Sequence, residues 1–298
     1  MALNISTLKT RSLTAAVFVV VMMLGLCVNH WTFFLLFSII HFGAWSEYQK
    51  LFAKIDPAYA DITPFHKYGV RLAGWSLMLF FTGSMFSIGS LNLHSLGLWM
   101  GISFLFVLPI VELLFARTIQ LQNIRISSLG LLYISLSWAL MMDTWTLSSQ
   151  LFSSYSGWLP KGVIIPMGVI FSIWINDTMA YIVGSLIGKT PLSKISPKKT
   201  WEGTIGGVLL AVALISWLGA SVAPFNIMKW QHWTVIASMG AIIGTLGDLL
   251  ESKIKRMADV KDSGSFMPGH GGFLDRFDSL ILTVPFVWLY LVLVVYNA

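Results

Sequence analysis

Residues 162–188 read GVIIPMGVIFSIWINDTMAYIVGSLIG. The run exceeds the roughly 20 mostly apolar residues that carry a helix across a bilayer. It holds one formal charge, Asp177, beside Asn176. No two-residue alternation marks it as a strand. It predicts a membrane helix with a polar pair midway along it. Eight further runs of the same kind lie outward from it, at 12–28, 30–48, 70–90, 95–115, 126–148, 204–223, 232–254 and 279–297. The fold class predicted is all-α and polytopic, with about nine transmembrane helices.

Composition points the same way. Of 298 residues, 56% are hydrophobic and 11% charged, against about 25% charged in an ordinary soluble domain. A soluble fold of this size could not keep so much apolar surface from water. The formal charge is +6. The basic residues sit between apolar runs, so anionic lipid headgroups and cytoplasmic anions are the expected partners rather than nucleic acid. Cys27 is the only cysteine, which excludes an intrachain disulfide and disfavours a thiolate metal site. Lys9 and Arg11 precede an apolar stretch without an A-x-A cleavage pattern, so an uncleaved first helix is expected.

Orientation follows from the positive charges. With the N-terminus in the cytoplasm, 17 of the 19 Lys and Arg residues fall on the cytoplasmic side, including Arg117 and Arg125. Only Lys161 and Lys229 fall outside, and the C-terminus is expected there too. The segment 51–69, with Pro57 and Pro64, reads as a cytoplasmic loop with a short interfacial helix. The chain divides for description into helices 1–5 (1–160) and helices 6–9 with their loops (161–298), expected as one integrated membrane domain.

Ionisable groups inside a bilayer are costly and mark function. Asp177 is the central case. Asp143 and Glu112 lie nearer helix ends and read as structural. Four-residue spacing puts Asn176, Ala180, Gly184 and Gly188 on one stripe, the last three forming a small-residue face for close helix approach. On the eighth run, Asp248, Glu251, Ser252 and Lys255 recur at helical spacing and form a polar stripe at its cytoplasmic end.

The loop that follows contains Lys261-Asp262-Ser263-Gly264, Pro268-Gly269-His270-Gly271-Gly272 and Asp275-Arg276-Phe277-Asp278. Gly269, Gly271 and Gly272 allow close backbone approach, and successive N–H groups can cradle an anion. Arg276 offers a planar fork for phosphate. His270 lacks a second His or Cys at suitable spacing and reads as a phosphate or loop hydrogen-bonder. Carboxylates beside lysines and a glycine loop suit a Mg²⁺–phosphate site. A second basic cluster is Lys194-Ile195-Ser196-Pro197-Lys198-Lys199-Thr200-Trp201. Ser196 and Pro197 predict an N-cap and first helical position, with Lys198 and Lys199 adding charge for an anion. Gly184–Thr190, GSLIGKT, superficially matches a P-loop but is one residue short and follows no strand.

The stretch 252–278, SKIKRMADVKDSGSFMPGHGGFLDRFD, resembles the signature of phosphatidate cytidylyltransferases, also called CDP-diglyceride synthases. NDTMAYIVGSLIGKT and ISPKKTWEG are similar to a second block of that family. The resemblance is strong over the C-terminal 40% and rests on hydropathy alone before about residue 165. It implies the reaction of CTP with phosphatidate to give CDP-diacylglycerol and pyrophosphate. It also implies a multi-pass protein of the bacterial inner membrane with its site open to the cytoplasm, and a homodimer. Mg²⁺ with a K⁺ nearby would be held by Asp248 and Asp275, which match the family's GD-L and DR motifs. Lys255, Arg256, Lys261 and Arg276 would hold phosphates, with Lys198 and Lys199 as a second cluster. Asp262, Asp278 and Asp177 would be further site acids, and Ser252 a contact to metal or phosphate. The residues alone leave open a CTP-using enzyme of another lipid or polyprenol, an ion-coupled transporter, and an inactive paralogue.

Overall fold

The computed structural model describes residues 5–115, 120–266 and 271–296. The helices run in order as α1 (Ile5–Cys27), α2 (His30–Ile55), α3 (Pro57–Ala60), α4 (Pro64–Phe80), α5 (Leu93–Phe115), α6 (Leu121–Leu151), α7 (Lys161–Ile187), α8 (Trp201–Ser221), α9 (Trp230–Met257) and α10 (Leu274–Val295). Among the described residues the only sheet is a hairpin, β1 (Ser87–Ile88) antiparallel to β2 (Leu91–Asn92). The protein is thus all-α. Helices α5 to α10 are each long and apolar enough to cross a membrane, and Thr14–Cys27 within α1 is a shorter apolar helix. The other two predicted runs fall on α2 and α4. The run predicted over 70–90 is corrected at its end: α4 stops at Phe80, and β1 and β2 follow, turning at Gly89 with φ +61°.

Local chemistry sets the boundaries. Asn29 caps α2 by accepting from Trp31 N and Thr32 N, and Thr32 Oγ1 answers from the Asn29 N–H, a reciprocal box. Asp56 and Thr63 cap α3 and α4, each ahead of a proline at the first helical position. Segment 51–69, expected as a loop with a short helix, is corrected to mostly helix: α2 runs on to Ile55, α3 is the short helix, and α4 already begins at Pro64. Helix α9 ends in a Schellman motif: Asp259 takes φ +52°, its N–H reaches Arg256 O, and Val260 N reaches Lys255 O at 3.0 Å. The predicted helix start at Ser196–Pro197 is corrected. Residues 191–200 form a turn closed by Leu192 N to Lys199 O, and α8 begins at Trp201 with Thr200 as N-cap, bonded to Gly203 N. Thr200 wins because its backbone is extended (φ −119°, ψ 153°) and its side chain reaches the third helical amide.

Two compact units make up the chain. The first comprises Met1–Met142 and Ile254–Phe277, the second Asp143–Lys253 and Asp278–Ala298. In the first, α2 buries Phe33, Phe37, Ile40, Ala44, Trp45 and Tyr48, a stripe of helical period. Trp45 Nε1 donates to Ser135 Oγ within the π-helical turn Leu131–Ser135. Glu112 is paired with His66 at 3.2 Å.

In the second unit, α7 and α8 pack along the small-residue stripe. A Cβ on Gly207 would stand 2.7 Å from Asn176 O, and one on Gly203 2.6 Å from Ala180 O. Both clashes are with backbone, which cannot swing aside. Gly207→Val is therefore expected to lower the stability of the detergent-solubilised protein by at least about 2 kcal/mol, read as a fall in its thermal midpoint. Trp288 Nε1 donates to Asp143 Oδ2 at 2.6 Å, so this acid has the structural partner expected of it.

Candidate active site

Two clusters of ionisable groups stand out, one in each unit. The cluster of the second unit is acidic. Asp248 and Glu251 lie one turn apart on α9, and Asp278 lies in the first turns of α10. One oxygen from each of the three carboxylates lies within 4.8 Å of the others. Glu251 and Asp278 are buried, at 1% and 7% exposure. Gly247 makes the approach of the two helices possible, because a Cβ there would stand 2.6 Å from the Asp278 carbonyl oxygen. Lys199 forms an ion pair with Asp248 Oδ2. Ser252 Oγ lies 3.5 Å from Asp248 Oδ1.

Hard carboxylate oxygens from three side chains are the ligand set of Mg²⁺ or Ca²⁺. Opposite ligands on one Mg²⁺ lie about 4.2 Å apart and on Ca²⁺ about 5 Å. Oxygens within 4.8 Å of one another are close enough to share a single divalent ion. Three acids so close also repel one another in a poorly solvated site, and Lys199 offsets one of their charges. The donor set fits a divalent cation. Glu251, read in the sequence only as part of a polar stripe, joins Asp248 and Asp278 here.

The same unit holds four other predicted residues, Asn176, Asp177, Ser196 and Lys198. Asn176 is buried, with Nδ2 3.4 Å from Thr245 Oγ1 and no partner for Oδ1 among the described residues. Asp177 and Lys198 are exposed. Ser196 lies in the turn, its carbonyl accepting from Lys199 N at 3.1 Å.

The cluster of the first unit is built round Asp275. Its Oδ1 accepts from Lys255 Nζ at 2.6 Å, a pair with exposures of only 8% and 12%. Its Oδ2 accepts from Gly272 N at 2.7 Å and Ser263 N at 2.8 Å, and shares the single Ser263 hydroxyl proton, 2.9 Å from Oγ, with Glu47. Asp275 thus folds the loop onto the start of α10, while Lys255 neutralises it. Gly271 takes φ +83°, and a Cβ on it would meet Asp275 Oδ2 at 2.5 Å. The carboxylate that accounts for the rest of the loop was not visible in the sequence. Glu47, on α2, accepts from Ser263 Oγ at 2.8 Å, Phe273 N at 2.9 Å and Leu274 N at 2.9 Å. Arg256, Lys261, Asp262 and Arg276 are exposed, Arg256 Nη1 donating to Val260 O at 3.2 Å. Gly269 and His270, like Arg117, lie outside the described residues.

Relatives of this chain carry one printed activity. It is 44% identical over 141 residues to a phosphatidate cytidylyltransferase of Synechocystis sp. and 45% identical over 122 residues to that of Bacillus subtilis. A chloroplastic phosphatidate cytidylyltransferase of Arabidopsis thaliana is 46% identical over 109 residues. The matched stretches cover 45%, 41% and 36% of this chain, and 45%, 45% and 27% of the relatives. The chain thus spans less than half the length of the curated relatives it matches. A model of the cytidylyltransferase family matches much further, from residue 9 to residue 294. With the match running through both units and both clusters, the chain belongs to the cytidylyltransferase family.

Proposed function

We propose that the protein is a membrane-embedded phosphatidate cytidylyltransferase that joins CTP and phosphatidate into CDP-diacylglycerol and pyrophosphate. The observation that carries the reaction class is the trio Asp248, Glu251 and Asp278 with Lys199 beside it. The substrates come from the relatives, whose printed names all specify phosphatidate. A transporter would use intramembrane acids too, but Asp143 is already engaged by Trp288 and Glu112 by His66.

In this reading a phosphate oxygen of the lipid attacks the α-phosphorus of CTP in line. A P–O bond forms, the bond to the β-phosphate bridge breaks, and pyrophosphate leaves with its electron pair. No protein nucleophile is required. The work of the protein is positioning and charge neutralisation. Asp248, Glu251 and Asp278 would hold a divalent cation, Mg²⁺ being the expected one. When bound, it would neutralise charge on the phosphate oxygens. Lys199, held on Asp248, and Lys198 in the same turn are placed to attract phosphate. Lys255 forms the more buried of the two lysine–aspartate pairs, and its partner Asp275 is tied into the loop by Gly272 and Ser263, so we assign this pair to loop structure. Arg256, Lys261 and Arg276 keep the phosphate-binding role given by the sequence. The lipid tails stay in the bilayer, with the site on the cytoplasmic side to which the charge distribution points, in a bacterial inner membrane as the family resemblance implies.

The test is turnover by the purified full chain in mixed micelles, with CTP, Mg²⁺ and a panel of phosphatidate, lysophosphatidate and polyprenyl phosphate. CDP-diacylglycerol detected by mass spectrometry, formed fastest from phosphatidate, is the expected result. Product from polyprenyl phosphate alone would assign a different lipid. Absence of any CDP-lipid across the panel would remove the proposal.

A further inference from the structure

Glu47 lies on the buried face of α2 that also carries Ala44, Trp45 and Tyr48, and it is 5% exposed. Its two oxygens accept from three donors of a segment more than 200 residues away: Ser263 Oγ, Phe273 N and Leu274 N. The last two are N–H groups at the start of α10, which have no carbonyl partner within their own helix. A carboxylate there also meets the positive end of the helix dipole. Glu47 therefore acts as a helix cap supplied from a distant helix.

The glycines of the loop are fitted to the same carboxylate. A Cβ on Gly264 would stand 2.2 Å from Glu47 Oε1, and one on Gly272 2.3 Å from both oxygens. Gly272, which in the sequence suggested an anion cradle, and Gly264 are both occupied on their inner face by Glu47. Ser263 ties the cap to the rest of the cluster, since its hydroxyl lies 2.8 Å from Glu47 Oε2 and 2.9 Å from Asp275 Oδ2.

We infer that Glu47 is a positioning residue for the transfer reaction, holding the glycine loop and the first turn of α10, the helix whose sequence carries Asp278 three residues after Asp275. The inference rests on the proposed function for the reaction it names, and on the hydrogen bonds for the clamp itself. Glu47→Gln keeps the size but places an amide N–H₂ against backbone N–H donors, so at least one charge-assisted bond is lost.

Two measurements on the detergent-solubilised full chain test it. The first is hydrogen exchange of the Phe273 and Leu274 amides. Glu47→Gln is expected to speed their exchange by about ten-fold or more, the effect of losing one hydrogen bond to a charged group. The second is cytidylyl transfer. In Glu47→Gln, kcat is expected to fall at least about ten-fold, with KM for the lipid within about two-fold. Glu47→Asp, with the charge kept and the reach shortened, is expected to lie between wild type and Glu47→Gln in both measurements. It replaces Glu47→Gln should that variant not fold.

Wild-type exchange in the substituted protein overturns the clamp. Faster exchange with unchanged kcat overturns the positioning role. A fall in kcat without faster exchange overturns it as well, since Glu47 would then act by another route. A wild-type chain that performs no transfer removes the proposed function instead, while the exchange measurement still reads the clamp.

Discussion

Asp278→Asn is expected to lower cytidylyl transfer by about a thousandfold or more. The side chain keeps its shape, but one of three clustered carboxylates loses its charge. Charge neutralisation by a bound cation is worth several kcal/mol in phosphoryl chemistry, and each 1.36 kcal/mol is about tenfold in rate. Asp248→Asn is expected to behave alike, with the Lys199 pair lost in addition. A second measurement separates a ligand from a merely structural acid. Mg²⁺ or Mn²⁺ should raise the thermal midpoint of the wild-type protein by mass action. Asp278→Asn should abolish that rise while the protein remains folded. A rise of wild-type size in the variant would take Asp278 out of the cation site.

Gly272→Ala is expected to be nearly as damaging for a different reason. The added methyl carbon would stand 2.3 Å from both oxygens of Glu47, well inside van der Waals contact. Gly272 N also donates to Asp275 Oδ2 at 2.7 Å, so the residue cannot back away without giving up that bond. Overpacking of this kind costs about 1–3 kcal/mol, and loss of a charge-assisted bond about as much again. Turnover should fall at least about a hundredfold, measured as initial rate at saturating CTP. The cause can be isolated by a double-mutant cycle. Combined with Glu47→Ala, which removes the obstructing carboxylate, Gly272→Ala should cost much less than it does alone. Gly89→Ala gives the contrast. Gly89 also has positive φ, at +61°, but nothing stands within 4 Å of its Cβ position. Only the backbone penalty of about 1 kcal/mol is expected there, and activity should be kept. Strict additivity of Gly272→Ala and Glu47→Ala would show that the glycine is not fitted to Glu47.

How far the sequence reaches can be judged from these same residues. Runs such as 162–188 and 204–223 declared themselves as helices because length and apolarity are local properties. The small-residue stripe Ala180–Gly184 was legible too, since helical spacing fixes which residues share a face. It meets Gly203 and Gly207 as such a face should. The loop 261–278 was recognisable by its density of glycines and charges. What its glycines are for was not, because Gly264 and Gly272 are shaped by a side chain from α2. Glu47 carried one signal that spacing arguments pass over: it is an acid at the end of the apolar run 30–48, and such acids are expensive. Its partners lie 216 to 227 residues away, a distance at which no local pattern operates. Glu251 was visible beside Asp248, but only the packing of α9 against Asp278 gives it ligand geometry. The start of α8 was misplaced at Ser196–Pro197 because two good capping sequences lie four residues apart. The turn closed by Leu192 and Lys199 decides between them.

The central claim is that this chain moves the cytidylyl group of CTP onto a lipid phosphate. The fate of label from CTP tests it most directly. Purified protein, phosphatidate and Mg²⁺ would be given CTP labelled on the α-phosphate or, separately, on the γ-phosphate. Attack at the α-phosphorus predicts that the α-label enters the lipid fraction as CDP-diacylglycerol and the γ-label is released as pyrophosphate, in equal amounts and only when phosphatidate is present. Release of γ-label as inorganic phosphate, or α-label confined to water-soluble products, would contradict the account.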